Sequence, residues 1–144
     1  MNNDQPEERR KAMDKQPFIL VCDDNKAISQ LIVFALQKSG YRVQAVDSAL
    51  ECVAVARRVR PDAILMDIVM PGMDGAIASG LMKDIPELEG VPIVLLSAMP
   101  QDQVKDRVED AGLRGYILKP FRIVDLLEMV RSCVSQRFPL SQTI

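Results

Sequence analysis

Histidine is absent from all 144 residues. That removes zinc sites built on histidine, Ser–His and Cys–His catalysis, and any phosphohistidine on this chain. Cysteine is scarce. Cys22, Cys52 and Cys133 lie far apart, odd in number and without a C-x-x-C pair, so neither a disulfide framework nor a thiolate zinc site is indicated. Free buried thiols in a reducing compartment are the expectation. No apolar run approaches the ~20 residues that a membrane-spanning helix needs. Residues 1–16 carry charge but no apolar stretch of the secretory type, which points to a cytoplasmic protein without membrane insertion. Nor is there an excess of one charge: 18 basic and 20 acidic residues leave a net charge of −2, with no clustered basic face of the kind nucleic acid requires. Repeats and low-complexity stretches are lacking as well.

What is present is an alternation of two patterns. Short continuous apolar runs read as strands covered on both faces: Phe18–Cys22, Val43–Val46, Ala63–Met66, Ile93–Leu96 and Tyr116–Leu118. Between them lie stripes at helical spacing. Ile28, Leu31, Ile32, Ala35 and Leu36 form the first, which Gly40 stops. Ala49, Val53, Ala56 and Val59 form the second, opened by Ser48 and closed before Pro61. Ile77, Leu81 and Ile85 mark a third, and Val104, Val108 and Ala111 a fourth that ends at Gly112. Ile123, Leu126, Leu127, Val130 and Val134 mark the fifth. Strands alternating with helices imply an α/β fold, a doubly wound parallel sheet in three layers. The length suits one domain, over 17–137, with a solvated tail at 1–16 and a short frayed end at 138–144.

In such a sheet, ligands collect beyond the carboxyl ends of the strands. The first strand runs into Asp23-Asp24, the third into Asp67, the fourth into Ser97 and the fifth into Lys119-Pro120. Singly, each has an ordinary reading: a turn and helix cap for the acid pair, a loop-start carboxylate, a strand-end hydroxyl, a solvated lysine. Together they place three carboxylates, a hydroxyl and an ammonium on one rim. Carboxylates so gathered repel one another unless a cation sits among them. Mg²⁺ suits the set best, because it takes hard oxygen ligands from one or two carboxylates plus phosphate; Mn²⁺ is a possible substitute.

The runs Ile19-Leu20-Val21-Cys22-Asp23-Asp24-Asn25, Met66-Asp67-Ile68-Val69-Met70-Pro71-Gly72-Met73-Asp74-Gly75 and Lys119-Pro120-Phe121 resemble the response-regulator receivers of two-component signalling. The resemblance covers about residues 17–136. It implies a five-stranded sheet in the flavodoxin-like order 2-1-3-4-5. It implies that Asp67 is the phosphoacceptor, and that Asp23, Asp24, Asp67 and the Val69 carbonyl bind the metal. Ser97 is implied as the switch hydroxyl, Lys119 as the ammonium that pairs with the phosphoryl group, with its peptide bond to Pro120 cis, and Tyr116 as the rotamer-switching aromatic. The implied donor is a phosphohistidine on a sensor histidine kinase or phosphotransfer protein, and the implied output is a protein contact by a stand-alone domain. That output is expected at the face of the fourth helix, fifth strand and fifth helix, toward a downstream protein or a second copy of the chain.

Other classes fit less well. An Asp-nucleophile phosphatase places Asp-x-Asp at the first strand, where this chain has Asp23-Asp24-Asn25. A flavin module needs a hydroxyl- and glycine-rich loop there, and carboxylates would repel its phosphate. A degenerate, purely scaffolding receiver is opposed by the full set of Asp23, Asp24, Asp67, Ser97 and Lys119. Two rim positions, Val69 and Met99, are apolar, which bears on how long a phosphoryl group survives.

Overall fold

The computed structural model describes residues 16–70, 72 and 74–135. Residues 1–15 of the tail expected at 1–16, residues 136–137 of the expected domain, the expected end at 138–144, and Pro71 and Met73 of the motif lie outside the described residues. The elements run β1 (Phe18–Cys22), α1 (Lys26–Lys38), β2 (Arg42–Val46), α2 (Ala49–Val59), β3 (Ala63–Asp67), α3 (Gly75–Lys83), a 3₁₀ turn (Pro86–Leu88), β4 (Ile93–Ser97), α4 (Gln101–Ala111), β5 (Gly115–Leu118) and α5 (Ile123–Ser135). All strand pairs are parallel, in the order β2-β1-β3-β4-β5.

The local signals work as their chemistry requires. Asn25 caps α1 by accepting from Ile28 N at 3.1 Å, and Ser48 caps α2 by accepting from Glu51 N at 3.2 Å. Gly112 closes α4 in the left-handed region at φ 67°. The second helix ends differently. Arg60, not a glycine, takes φ 54° there, and its guanidinium donates to the carbonyls of Glu87 at 3.0 Å and Glu89 at 2.6 Å. Those two bonds hold a conformation that a side chain ordinarily avoids.

Alternate residues of each strand feed opposite layers. Leu20, Cys22, Ile64, Met66 and Leu95 pack under α2, α3 and α4; Ile19, Val21, Leu65, Val94 and Leu96 pack under α1 and α5. The three cysteines are free and buried. The neighbouring Cys52 thiol and burial push the Cys22 thiol far above its usual range, so it behaves as a packed apolar group.

Some helices bury a different face from the one their apolar stripe predicts. In α3 the buried residues are Gly75, Ala76, Ala78, Ser79 and Met82, while Ile77 and Leu81 are 59% and 54% exposed. Small residues bring this helix close to its neighbours, as the Cβ position of Gly80 shows, 4.0 Å from Ala111 Cβ. Of the larger side chains, Met82 alone is buried in this helix, and Ile77 and Leu81 turn out. Leu31 and Val59 are likewise exposed, leaving Ile32 and Leu36, and Cys52, Val55 and Ala56, as the true contact faces. In α4 only Val104 and Val108 are buried.

Candidate functional site

Strand register assembles the rim. Cys22 pairs with Met66, so Asp23 and Asp67 are each the next residue on adjacent parallel strands. These strands are also where the chain's winding reverses, with β2 on one side and β3 on the other, which opens a crevice above β1 and β3. Asp23, Asp24 and Asp67 each bring a carboxylate oxygen within 4.8 Å of the others. Asp23 and Asp67 are buried and Asp24 is exposed. Lys119, just past β5, reaches over them: its Nζ is 3.0 Å from Asp23 Oδ2 and 3.4 Å from Asp67 Oδ1. The Lys119–Pro120 peptide is cis.

Backbone amides orient both buried acids. Asn25 N donates to Asp23 Oδ1 at 2.9 Å, and Val69 N to Asp67 Oδ1 at 3.4 Å. Ser97, at the end of β4, is buried and accepts from Met99 N at 2.8 Å through Oγ. Tyr116 is half-buried on β5, and its hydroxyl accepts from Gln101 Nε2 at 3.0 Å. Val69 is 68% exposed at the rim.

Asp23 and Asp67 share the Lys119 ammonium, and the Asp24 carboxylate lies close to both acids. Burial and the Asp23 charge raise the Asp67 carboxyl to about 6, against the pull of Lys119 and the Val69 amide. The donor set therefore suits a divalent cation: all-oxygen, over-acidic, and open on the Asp24 side.

The loop after Asp67 is fastened at its far end. Asp74 caps α3, accepting from Ala76 N at 2.7 Å and Ile77 N at 3.3 Å, and it pairs with Arg107 of α4. Gly75 N donates to Ile68 O at 2.7 Å. A Cβ on Gly75 would overlap the Asp67 carbonyl oxygen and stand 3.0 Å from Ile68 Cα. These are backbone atoms, which cannot step aside cheaply. Gly75→Ala is expected to cost about 2–4 kcal/mol, by overpacking against the site's own main chain. Urea denaturation measures it; a loss below about 0.5 kcal/mol would show that the loop yields freely.

A sequence profile of the response regulator receiver domain matches residues 19–131, which includes every residue of this rim. The chain belongs to that receiver family. Its work is therefore two-component signalling, and receiver domains are signalling modules, not classical enzymes. The receiver is 30% identical over 114 residues to the polar-differentiation response regulator DivK of Brucella anthropi, covering 79% of this chain and 93% of DivK. It is 33% identical over 116 residues to the DNA-binding transcriptional regulator RpaA of Synechocystis, covering 81% of this chain but only 48% of RpaA. Among solved structures, the Vibrio cholerae chemotaxis protein CheY4 superposes with a TM-score of 0.78 at 27% identity, over 82% of this chain and 98% of that one. The receiver domain of the Pseudomonas aeruginosa sensor histidine kinase PA1611, solved with a magnesium ion coordinated in its active-site cleft, superposes with a TM-score of 0.77. It is 31% identical, over 83% and 98% of the two chains. Among the described residues no helix is long and apolar enough to cross a membrane.

Thus the structure brings Asp23, Asp24, Asp67 and Lys119 into one receiver cleft and sets Ser97 and Tyr116 on the neighbouring strands. Sequence reading missed the Asp74–Arg107 pair and the Gln101–Tyr116 bond. Asp74 carried one usable signal, an acid directly before a helix start; its partner on α4 carried none, because the pairing depends on how two helices lie side by side.

Proposed function

We propose that this receiver accepts a phosphoryl group on Asp67 from a phosphohistidine of a sensor histidine kinase or phosphotransfer protein, and then binds a downstream protein through α4, β5 and α5. The observation that carries this reading is the place of Asp67, a buried carboxylate with Lys119 Nζ at 3.4 Å on one side and Asp23 and Asp24 on the other. Mg²⁺, or Mn²⁺ in its stead, held by Asp23, Asp24, Asp67 and the Val69 carbonyl, would neutralise phosphoryl oxygens during transfer. The magnesium in the PA1611 receiver supports that assignment.

The chain's own groups do the rest. An Asp67 carboxylate oxygen attacks phosphorus while the P–N bond breaks, and its electron pair leaves with the donor imidazole. Lys119 balances the added charge, about one to two negative units. Ser97 accepts from the Met99 amide, which leaves its own O–H to donate to a phosphoryl oxygen. Once Ser97 is drawn inward, Tyr116 fills the space it leaves, and the change reaches α4.

Incubation with acetyl phosphate and Mg²⁺ should add one phosphoryl mass, and Asp67→Ala should add none. A phosphorylated Asp67→Ala protein would refute the site. With beryllofluoride and Mg²⁺, amide exchange should change at residues 98–119; changes confined to the carboxylates would refute the output face.

Lifetime follows from the rim. Water attacking the acyl phosphate needs a group to orient it. Exposed Val69 and half-buried Met99 offer no side-chain hydrogen bond there. Slow hydrolysis is therefore expected, and the Val69→Asn, Met99→Glu double variant should shorten the half-life by about tenfold or more. Phosphoryl mass followed over time decides it, and an unchanged decay would contradict this account.

A further inference from the structure

We propose that Arg107 is a positioning residue whose ion pair with Asp74 latches α4 in its resting place and so limits how readily Asp67 takes a phosphoryl group. The latch rests on the phosphoacceptor reading above and adds a named restraint to it.

Hydrophobic contact alone holds α4 weakly. Of its 11 residues only Val104 and Val108 are buried. Two polar ties supplement them. Gln101 donates to the Tyr116 hydroxyl at 3.0 Å, and Arg107 NH1 pairs with Asp74 Oδ2. The second tie joins α4 to the phosphoacceptor loop itself. Asp74 is fixed by its capping bonds to Ala76 N and Ile77 N. The next residue, Gly75, is seated against the Asp67 carbonyl and bonded to Ile68 O. A displacement of α4 therefore has either to break the Arg107 pair or to pull on the main chain that carries Asp67.

The direction follows from linkage. A contact made in the resting arrangement and lost in the shifted one favours the resting one. Removing it moves the equilibrium toward the shifted state, and whatever binds that state must then bind more tightly by the same factor. Arg107 and Asp74 side chains are 39% and 26% exposed, so the pair is a modest tie, suited to tuning the switch without locking it.

The test titrates the full chain with beryllofluoride in saturating Mg²⁺, following amide shifts, and measures the rate of phosphoryl gain from acetyl phosphate. Arg107→Ala should lower the half-saturating beryllofluoride concentration and raise the phosphorylation rate, each by roughly threefold to tenfold. Arg107→Lys, which keeps a cation beside Asp74, should return both toward the wild-type values. A merely structural role would move the melting temperature without this paired change. Equal or weaker beryllofluoride binding in Arg107→Ala, or no rescue by lysine, would overturn the latch. Wild-type protein that neither binds beryllofluoride nor gains mass would instead defeat the phosphoacceptor reading, whatever the variants do.

Discussion

Lys119→Met is expected to lose about 3 kcal/mol of stability near pH 7.5 without divalent cations, because it strands two buried carboxylates. Among the described residues, Lys119 is the one ammonium in contact with both, at 3.0 Å from Asp23 and 3.4 Å from Asp67, and its own side chain is only 16% exposed. Methionine keeps the length and apolar stem, so the packing loss is small and the electrostatic loss stands out. Acidification should shrink the deficit, since protonating Asp67 removes one of the charges left facing each other. Mg²⁺ should also stabilise the variant more than the wild type, because the ion then supplies the missing positive charge. Phosphoryl gain from acetyl phosphate should slow by about 100-fold or more, the scale seen when a group that neutralises developing charge is removed. Urea denaturation at about pH 7.5 and 5, with and without Mg²⁺, tests the stability claims. Equal stability of the two proteins at neutral pH would mean that water screens the carboxylates despite their burial.

Asp67→Asn should do the opposite to stability while abolishing phosphorylation. In the folded protein the Asp67 carboxyl titrates at about 6, above its ordinary value of 3.8, chiefly through burial and then through Asp23. The folded state therefore holds this proton more tightly than the unfolded chain does. Stability contributed by the protonated form is present at acid pH and declines as pH rises from about 4 through 6. The decline is on the order of 2–3 kcal/mol for a group this buried. Asparagine carries no charge to desolvate. Without metal, the variant should exceed the wild type by about 1–3 kcal/mol near pH 7.5, less whatever its lost contact with Lys119 contributes, and the two should converge below about pH 4. Saturating Mg²⁺ should narrow or reverse the gap by favouring the ionised wild type. A wild type more stable than Asp67→Asn at neutral pH without metal would show that Lys119 outweighs burial and Asp23.

A raised Asp67 carboxyl beside Asp23 and Asp24 makes this cleft a place where added positive charge is favourable. Gly75 belongs to the same economy of space. Its missing side chain lets α3 start directly against the Asp67 carbonyl, so that loop, cap and Asp67 form one short link.

The α/β class, the strand positions and the site acids were legible from residue order alone. Continuous apolar runs such as Ile93–Leu96 mark strands buried on both faces, and polar residues directly after them mark one rim, because parallel strands all end on the same side. Helix stops at Gly40 and Gly112 were legible too, since left-handed backbone favours glycine. Periodicity was a poorer guide to which face each helix buries. In α3 the buried face is made of small residues and Met82, and Ile77 and Leu81 point outward, because contact distance between neighbouring elements selects side-chain size as well as hydrophobicity. Tertiary structure alone decided the spacings on which the chemistry depends. The shared hold of Lys119 on Asp23 and Asp67, the raised Asp67 carboxyl, and the pairing of Asp74 with Arg107 all join residues far apart in the chain. Their energies depend on burial and on separations of a few ångströms, quantities that residue order does not carry and that only the packed sheet and its helices set.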